Sequence, residues 1–530
     1  MPESNLHGQN FIGARLSALG SRNISGFNPK AGSKLAPWFA EATPAEIDTA
    51  MDLAAQAAPS FRDCEPGVVA EFLERIAVEL RASAESLIER AVAETGLPPE
   101  RITGELGRTT GQIQLFANLV REGSWVEARI DHADPDRKPL PKPDVRRMLV
   151  PLGPVVVFGA SNFPLAFSVP GGDTISAFAA RNPVVCKAHP AHPGTSEIAA
   201  AAIRRAVEAC GLHEGVFSMV HGASPEVSLR LVRHAAARAV GFTGSLHAGR
   251  ALFDAACQRP DPIPVYAEMG SVNPVFVLPG ALAERGDSIA QGLRQSVTMG
   301  TGQFCTCPGL VAGLAGEFFD QFAAALRAQF EQAPAGAMLH PGILRSYEAG
   351  VEKLKAISGT SVTFSSLPAD ASHTEARPAL FEASAERLLQ RDELGREVFG
   401  PSTVLIRCGS PEEMEHVARG LEGTLTVTIH GTPEDLQAYR GFIRLLEEKA
   451  GRLLINGYPT GVEVCASMQH GGPYPATSDS KFTSVGTAAI LRFARPVCYQ
   501  NFPQELLPAE LRDANERAIW RLVDGKFSNS

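Results

Sequence analysis

The sequence predicts an α/β protein built around a doubly wound parallel sheet. Short apolar runs rich in β-branched residues alternate with helical segments from Val155 onwards, and most of these runs end in small or polar residues. Such regular alternation is typical of parallel sheets that carry helices on both faces. A chain of 530 residues, 44% apolar and 20% charged, can bury a large core and is expected to divide into two or three domains.

Helices are expected to dominate the first 120 residues. Thr43, Pro44 and Glu46 have the pattern of a capping box with proline at the first helical position, which predicts a helix from residue 44. Apolar residues four positions apart within residues 72–80 predict a second helix, and residues 112–119 indicate part of a third. Each of these helices is expected to pack one face into the core.

Five strands of the predicted sheet follow the Pro- and Asp-rich stretch that begins after Gly123. They are expected at residues 155–158, 184–187, 216–220, 239–242 and 264–269. Asp173 is expected to cap the helix after the first strand, and Gly211 to end the helix before the third. Ligands of such sheets bind beyond the carboxyl ends of the strands, so residues just after each strand are candidates for the site.

A second α/β region is expected from residue 273 to residue 456, with no internal repeat. Near the end of the chain, residues 483–503 form a strand-like stretch with two arginines and several aromatic residues. An unpaired strand edge of this kind is expected to pair with a neighbouring subunit.

Composition and charge argue against several classes of partner. The 58 acidic and 49 basic residues give a formal net charge of −9 and are scattered along the chain, so nucleic acid and anionic membrane surfaces are not expected partners. The start of the chain lacks the features of a signal peptide, and no stretch of about 18 apolar residues could span a bilayer, so a cytoplasmic protein is expected. Nine irregularly spaced cysteines are expected to stay reduced.

Polar residues follow the first two strands of the sheet. Asn162 places a carboxamide at the carboxyl end of the first strand, although an asparagine shortly before Pro164 is also typical of a turn. Lys187 ends the second strand, where its ammonium could donate to ribose hydroxyls or a phosphate, or could simply be solvated.

The ends of the fourth and fifth strands carry further candidates. Gly244 and Ser245 open a helix whose free N–H groups suit a pyrophosphate, although the spacing is not G-x-G-x-x-G and an ordinary helix cap would look the same. Glu268 ends the fifth strand among apolar neighbours, which predicts a raised carboxyl pKa and suits a base that takes a proton from water. A salt bridge at a domain edge is the alternative for Glu268.

Cys305 is the candidate nucleophile because a glycine-rich approach lets backbone N–H groups come close to whatever its sulfur attacks. Cys307 is expected to be a packing residue, with a redox role as the alternative. These two thiols are too few ligands for zinc, and no metal site is predicted. Glu397, two residues before Phe399 and a Gly-Pro turn, could accept hydrogen bonds from a ribose or face solvent.

The order and spacing of these motifs resemble the aldehyde dehydrogenase superfamily over about residues 30 to 500. The family pattern of Asn, Lys, F-T-G-S, Glu-Leu/Met-Gly, G-Q-x-C and E-x-F-G-P is matched by Asn162, Lys187 and residues 242–245, 268–270, 302–305 and 397–401. The resemblance implies a Rossmann-like dinucleotide-binding domain at residues 1–130 and 152–268 and a catalytic domain at 269–475. It also implies a small β oligomerisation element with a C-terminal tail at 131–151 and 476–530, and a homo-oligomer, either dimer or tetramer.

The resemblance implies roles for the site residues as well. Cys305 attacks an aldehyde, Asn162 and the Cys305 N–H hold the oxyanion, and hydride passes to NAD or NADP. Glu268 then activates the water that hydrolyses the thioester to a carboxylic acid, and its presence favours hydrolysis over transfer to coenzyme A. The implied cofactor-binding residues are Lys187, Gly244, Ser245, Glu397 and Phe399.

Two further features concern the cofactor and the substrate. Pro190 stands where strictly NAD-using members often carry glutamate, so NADP should be tolerated, and which cofactor is preferred stays open. Within the superfamily, the α-ketoglutarate semialdehyde (2,5-dioxopentanoate) dehydrogenases are most similar, in the segments KAHPAHPGTSE, GQFCTCPGL, HGGPYPATSDS and RPVCYQNFP. NADP-dependent long-chain fatty aldehyde dehydrogenases come next. Arg108 is a candidate for an anionic substrate, whereas Phe163 and Phe167 would suit an alkyl chain equally well.

Two other classes of function remain open. A cysteine-dependent acyl hydrolase could use the same thiol, amide and carboxylate without a cofactor, and ester cleavage without reduction of NAD or NADP would distinguish it. A non-catalytic structural relative would have no need to keep Cys305, Glu268 and Asn162 together.

Overall fold

The computed structural model describes residues 6–530, which form two seven-stranded sheets, one five-stranded sheet and two short two-stranded ribbons. No helix of these residues combines the length and apolar character needed to cross a bilayer.

The chain begins with strands. They are β1 (Asn10–Ile12), β2 (Arg15–Ser17), β3 (Asn23–Asn28) and β4 (Ser33–Ala40). Helices do dominate the first 120 residues as predicted, since the four helices described next cover more than half of them, but residues 10–40 form strands that the sequence does not predict. These strands depend on distant partners, since Phe11 of β1 pairs with Met219, and no local pattern shows such a contact.

Four helices follow, of which the first, second and fourth match the predicted helices and the third was not predicted. They are α1 (Pro44–Arg62), α2 (Pro66–Ala82), α3 (Ala84–Thr95) and α4 (Pro99–Glu122). The capping box of Thr43 and Glu46 is present at the start of α1, and the predicted apolar face of α2 is fully buried. Gly123 ends α4 in the left-handed conformation, with φ of 87°. The Pro- and Asp-rich stretch was expected to follow this residue.

The predicted doubly wound sheet comes next, after two strands of another sheet. The elements are β5 (Arg129–Asp131), β6 (Val145–Pro151), β7 (Val155–Phe158), α5 (Gly172–Ala179), β8 (Val184–Lys187), α6 (Pro193–Ala209), β9 (Phe217–Val220), α7 (Pro225–Arg233), β10 (Ala239–Thr243), α8 (Leu246–Cys257) and β11 (Val265–Glu268). The first large sheet has the order β11-β10-β7-β8-β9-β1-β2, and its five strands from β7 to β11 are parallel. All five predicted strands are thereby confirmed.

Asp173 does not cap α5, so this prediction is wrong. Gly171 is the N-cap residue, and Asp173 lies in the first turn of the helix. Its buried carboxylate instead contacts the buried guanidinium of Arg492, with 2.8 Å between Oδ1 and Nη1. A charged partner so far along the chain outweighs the local preference of aspartate for a cap, because a buried carboxylate needs a counterion.

The second α/β region is also present. Its elements are β12 (Val275–Val277), α9 (Pro279–Thr298), β13 (Leu310–Leu314), α10 (Glu317–Glu331), β14 (Gly336–Ala337), α11 (Pro341–Lys355), β15 (Ser361–Phe364), β16 (Glu375–Ala376), β17 (Ala379–Ser384), α12 (Ala385–Gln390), β18 (Ser402–Cys408), α13 (Pro411–Gly420), β19 (Thr424–His430), α14 (Pro433–Ala438), α15 (Arg440–Glu447) and β20 (Ala450–Ile455). The second large sheet has the order β15-β17-β18-β13-β12-β19-β20, and only its edge strand β15 runs antiparallel.

The end of the chain completes the five-stranded sheet. A 3₁₀ helix (Thr487–Phe493) leads into β21 (Ala494–Gln500), and β22 (Arg521–Val523) and β23 (Lys526–Ser528) follow. The order is β21-β6-β5-β22-β23, so the predicted strand pairs along one side with β6 of its own chain. Pairing of its other side with a neighbouring subunit stays a prediction. The division of the chain into the three predicted domains stays a prediction.

Candidate active site

The first large sheet reverses its strand order between β7 and β10, and a cavity opens beyond the carboxyl ends of these strands. In doubly wound sheets this reversal is where ligands bind. The cavity has a volume of about 980 Å³. All eight predicted site residues line it, namely Asn162, Lys187, Gly244, Ser245, Glu268, Cys305, Glu397 and Phe399.

One part of this cavity fits the phosphates and a ribose of a dinucleotide. Ser245 is the N-cap of α8 and its hydroxyl accepts the N–H of Ala248, so the helix presents its remaining N–H groups and positive dipole end near the cavity wall. Lys187 lies at the end of β8, where burial lowers the pKa of its ammonium to about 8 and the charge of Glu41 opposes that shift. An anionic ligand would offset the cost of burying this cation.

Glu397 reaches the cavity through a gap that glycine leaves open. Gly270 has φ of 118°, and a Cβ at this position would lie 2.5 Å from Oε2 of Glu397. The carboxylate is open to the cavity, yet burial raises its pKa to about 7; the Ser271 N–H opposes this shift and the charge of Glu268 adds to it. Its remaining lone pairs are available to ribose hydroxyls.

The loop that carries Cys305 is held in a constrained conformation. Within Met299–Gly302, Gly300 and Thr301 both have positive φ, of 53° and 57°. The side chain of Asn273 then donates to the carbonyl of Cys305 at 2.8 Å and to that of Cys307 at 3.0 Å. Asn273, which no sequence motif marks as a site residue, orients the nucleophile's backbone without touching its sulfur.

Asn162 lies beside this loop. Its Nδ2 donates to the carbonyl of Gln303 at 3.0 Å, which leaves a second N–H of the same amide free of that bond. The thiol of Cys307 turns elsewhere and donates to the carbonyl of Val297 at 3.6 Å. The contacts of Cys307 are those of a packing residue.

His470 joins Glu268 and Cys305 at the centre of the site, and sequence analysis missed it. Its Nε2 lies 3.5 Å from the Cys305 Sγ and 3.2 Å from Oε1 of Glu268. The other carboxylate oxygen accepts the hydroxyl of Ser484 at 2.8 Å. The side chains of His470 and Glu268 are only 1% and 3% exposed, so little solvent screens their interaction. His470 stands 165 positions from Cys305, in the segment HGGPYPATSDS, which carries part of the family resemblance but no local signal for a role of the histidine.

The pKa of Glu268 is lowered, contrary to the prediction from its apolar sequence neighbours. Burial does push this pKa upward, but the charge of the nearby His470 and the hydroxyl of Ser484 outweigh burial. The prediction was wrong because residues distant in sequence provide these polar contacts. The pKa of the Cys305 thiol is raised well above its usual value by burial and by the nearby charge of Glu268. The free nucleophile is therefore a thiol that must give up its proton within this cluster.

A cationic side chain whose charge has no hydrogen-bonded counterion among the described residues lies near Cys305. Arg108 of α4 packs its guanidinium against Phe163 and Phe167, 5.7 and 5.2 Å from the ring centroids. Its Nε and Nη2 are buried and make no hydrogen bond to any part of residues 6–530. The neighbouring carboxylate of Glu105 is already bound by Arg101 at 2.8 Å. Burial accordingly lowers the pKa of Arg108, with Glu105 opposing.

Comparison with known proteins agrees with this geometry. The sequence model described as "Aldehyde dehydrogenase family" matches residues 17–474. The chain belongs to the aldehyde dehydrogenase family. It is similar to α-ketoglutaric semialdehyde dehydrogenase 2 of Azospirillum brasilense, with 49% identity over 522 residues that cover 98% of this chain and 99% of the relative. An α-ketoglutaric semialdehyde dehydrogenase of Acinetobacter baylyi is 46% identical over 531 residues, which cover 100% of both chains.

Solved structures confirm the predicted aldehyde dehydrogenase fold. Lactaldehyde dehydrogenase from Escherichia coli superposes with a TM-score of 0.80 at 20% identity, covering 93% of this chain and 98% of that one. Family, relatives and fold together show an NAD(P)-dependent aldehyde oxidoreductase. This result favours the oxidoreductase over both the acyl hydrolase and the non-catalytic relative.

Proposed function

We propose that this aldehyde dehydrogenase oxidises 2,5-dioxopentanoate to 2-oxoglutarate. The observation that carries the proposal is the guanidinium of Arg108, which is partly buried near Cys305 without a hydrogen-bond partner among the described residues. An aldehyde with a distal carboxylate would provide the missing counterion. The names of the two full-length relatives at 46% and 49% identity support the same substrate.

The dimensions of the substrate suit this pairing. An extended five-carbon dioxo acid places its carboxylate roughly 5 Å from the aldehyde carbon, by the usual carbon–carbon bond lengths. The charge of Arg108 opposes the rise in pKa of the Cys305 thiol, so the cation lies in the neighbourhood of the nucleophile, as pairing with the distal carboxylate of a bound aldehyde requires. A planar guanidinium with two free N–H groups can also bind a carboxylate through two parallel hydrogen bonds.

A long-chain aldehyde is the second candidate. Phe167 and Val485 belong to a small buried apolar cluster. The side chains packed against it are Phe163, Val462, Val464 and Met468. Together these side chains would suit an alkyl chain. An alkyl chain would, however, leave Arg108 without a partner and would remove further water from its charge. The unpaired cation therefore favours the anionic substrate.

The first steps of the reaction use three residues. The Cys305 thiol passes its proton to the pair formed by His470 and Glu268, and the sulfur forms a bond to the aldehyde carbon. The carbonyl oxygen takes up the electron pair and becomes an oxyanion. The second N–H of the Asn162 amide and the backbone N–H of Cys305 stabilise that charge.

Oxidation and hydrolysis follow. Bound NAD or NADP supplies the acceptor for the hydride that leaves the former aldehyde carbon, and a thioester on Cys305 remains. The pair releases the Cys305 proton to solvent, and because the pKa of Glu268 is lowered, its carboxylate is then ionised at neutral pH and can take a proton from water. The water oxygen bonds to the thioester carbon and the carbon–sulfur bond breaks. The proton held by Glu268 passes to the departing sulfur, so the acid leaves and Cys305 is restored as a thiol.

The cofactor is proposed to bind Lys187, Gly244, Ser245, Glu397 and Phe399, all of which line the cavity. Pro190 lines it too and carries no charge to repel a 2′-phosphate, so NADP is accepted as well as NAD.

The domain division is part of the proposal: residues 1–130 and 152–268 bind the dinucleotide, residues 269–475 carry the nucleophile, and residues 131–151 and 476–530 form the oligomerisation element. A cytoplasmic homo-oligomer is also part of this proposal.

The test is a comparison of kcat/KM for 2,5-dioxopentanoate, succinic semialdehyde and a long-chain aldehyde, each with NAD and with NADP. The proposal predicts that 2,5-dioxopentanoate is the best substrate and that both cofactors support turnover. A higher kcat/KM for the long-chain aldehyde would contradict the substrate, and turnover with NAD alone would contradict the proposed tolerance of NADP.

A further inference from the structure

The side chains at the reaction centre have the ligand types of a zinc site. Cys305 offers a sulfur, His470 an imidazole nitrogen and Glu268 a carboxylate oxygen, and these three atoms all lie within 4.8 Å of one another. Cysteine, histidine and glutamate are the side chains that zinc most often uses in proteins. No other group of three such side chains with this spacing occurs in residues 6–530.

The distances match tetrahedral coordination. Zinc binds sulfur at about 2.3 Å and imidazole nitrogen or carboxylate oxygen at about 2.0 to 2.2 Å, so a tetrahedral site separates sulfur from nitrogen by about 3.5 Å and nitrogen from oxygen by about 3.4 Å. The Cys305 Sγ lies 3.5 Å from the His470 Nε2, and that nitrogen lies 3.2 Å from Oε1 of Glu268. Two of the three separations therefore fit a tetrahedral site, and the third, between the Cys305 Sγ and the carboxylate, is at most 4.8 Å.

The carboxylate is also oriented for coordination. Its Oε2 accepts the Ser484 hydroxyl at 2.8 Å, the kind of contact that orients a metal-binding carboxylate. Its Oε1 is buried and has no partner in hydrogen-bond geometry among residues 6–530, even though the His470 Nε2 is near. A buried oxygen without a hydrogen bond is available to a cation.

We propose that the cluster of Cys305, His470 and Glu268 is an inhibitory binding site for zinc. The ion has three protein ligands and a fourth position that faces the cavity, which water can occupy. When zinc binds, the Cys305 thiol loses its proton to solvent, and its sulfur and the Glu268 carboxylate form bonds to the metal. The inhibition rests on the catalytic roles proposed above for these two residues: neither the attack on the aldehyde nor the activation of water can proceed. Magnesium and calcium prefer oxygen ligands and are not expected to bind this set.

Binding is tested directly by competition of the full-length protein with a chromophoric zinc chelator. The wild type is expected to bind one zinc ion per chain. Cys305→Ala and His470→Ala each remove a ligand, and their affinity should fall by more than about 100-fold, beyond the usual effect of changing an outer contact. The matched control is Cys307→Ala, whose thiol turns to the Val297 carbonyl and whose loss should leave zinc affinity unchanged.

A second measurement needs no variant. Zinc should inhibit aldehyde oxidation by the wild type and slow the alkylation of Cys305 by iodoacetamide, both reversed by a chelator, whereas magnesium at the same concentration should do neither. The proposal is overturned if the wild type binds no zinc, if Cys305→Ala or His470→Ala binds it as tightly as the wild type, or if Cys307→Ala loses it. Inhibition without protection of Cys305 would likewise place the zinc elsewhere.

Discussion

Replacement of Arg108 by methionine is expected to lower kcat/KM for 2,5-dioxopentanoate by about 10²- to 10³-fold. Methionine keeps an unbranched apolar side chain against Phe163 and Phe167 but removes the guanidinium. Loss of one partner of a buried charge pair costs about 3 to 5 kcal/mol, and each 1.36 kcal/mol is a factor of about ten in rate. These energies correspond to a loss of kcat/KM of about 150- to 5,000-fold. The lower part of this range applies because Arg108 is only partly buried.

The assay compares 2,5-dioxopentanoate with pentanal, an aldehyde of the same length without a carboxylate. The Arg108→Met variant should oxidise pentanal at least as well as the wild type, because no charge pair is lost. Arg108→Lys should give an intermediate kcat/KM for the dioxo acid, since lysine keeps the charge but not the two parallel hydrogen bonds.

Thermal unfolding gives an independent check on the same variant. Because no residue of the described part of the chain hydrogen-bonds to Nε or Nη2 of Arg108, Arg108→Met should not lower the unfolding midpoint. Arg101→Met is the control: it deprives the buried carboxylate of Glu105 of its cation and should lower the midpoint. Equal loss of kcat/KM on both aldehydes would refute the reasoning, because it would show that Arg108 maintains the site instead of pairing with a carboxylate.

Three further predictions concern the catalytic cluster and the cofactor site. His470→Leu should lower kcat by about 10²-fold. It should also move the acidic limb of the pH–rate profile to higher pH, because Glu268 loses a group that lowers its pKa. An acidic limb at the wild-type pH would contradict this. Ribose hydroxyls donate to ionised Glu397, so NADP affinity should fall as pH drops through about 7, and calorimetric titration should show no such dependence for Glu397→Gln. Cys307→Ala should keep kcat/KM within about twofold, and a larger loss would assign this thiol a role beyond packing.

Local sequence signals were sufficient where the decisive contacts are local. The capping box of Thr43 and Glu46 and the apolar strand at residues 155–158 both depend on neighbours within one turn or one strand, and both are present. Strand β1 could not be predicted in this way, because its pairing with β9 lies across the fold. Asp173 illustrates the same limit, since its partner Arg492 outweighs the local preference for a helix cap.

The same distinction applies to the site. The motifs of Cys305 and Glu268 could be found because each has a local pattern at a strand end or a glycine-rich turn, and the two come together as expected. His470 could not be assigned a role, because a single histidine carries no spacing signal of its own. The direction of the Glu268 pKa shift was wrong for the same reason: it depends on His470 and Ser484, which only the fold places beside that carboxylate.

The central claim is that Cys305 carries the substrate as a thioester and that Glu268 directs this thioester to water. A single-turnover experiment with the Glu268→Gln variant, NADP and 2,5-dioxopentanoate tests it, with reduced cofactor followed at 340 nm and the quenched protein analysed by mass spectrometry. The account predicts one equivalent of reduced cofactor per active site, followed by a stall with an acyl group on the Cys305 peptide. Steady turnover at the wild-type rate, or a burst with no acyl group on Cys305, would contradict it.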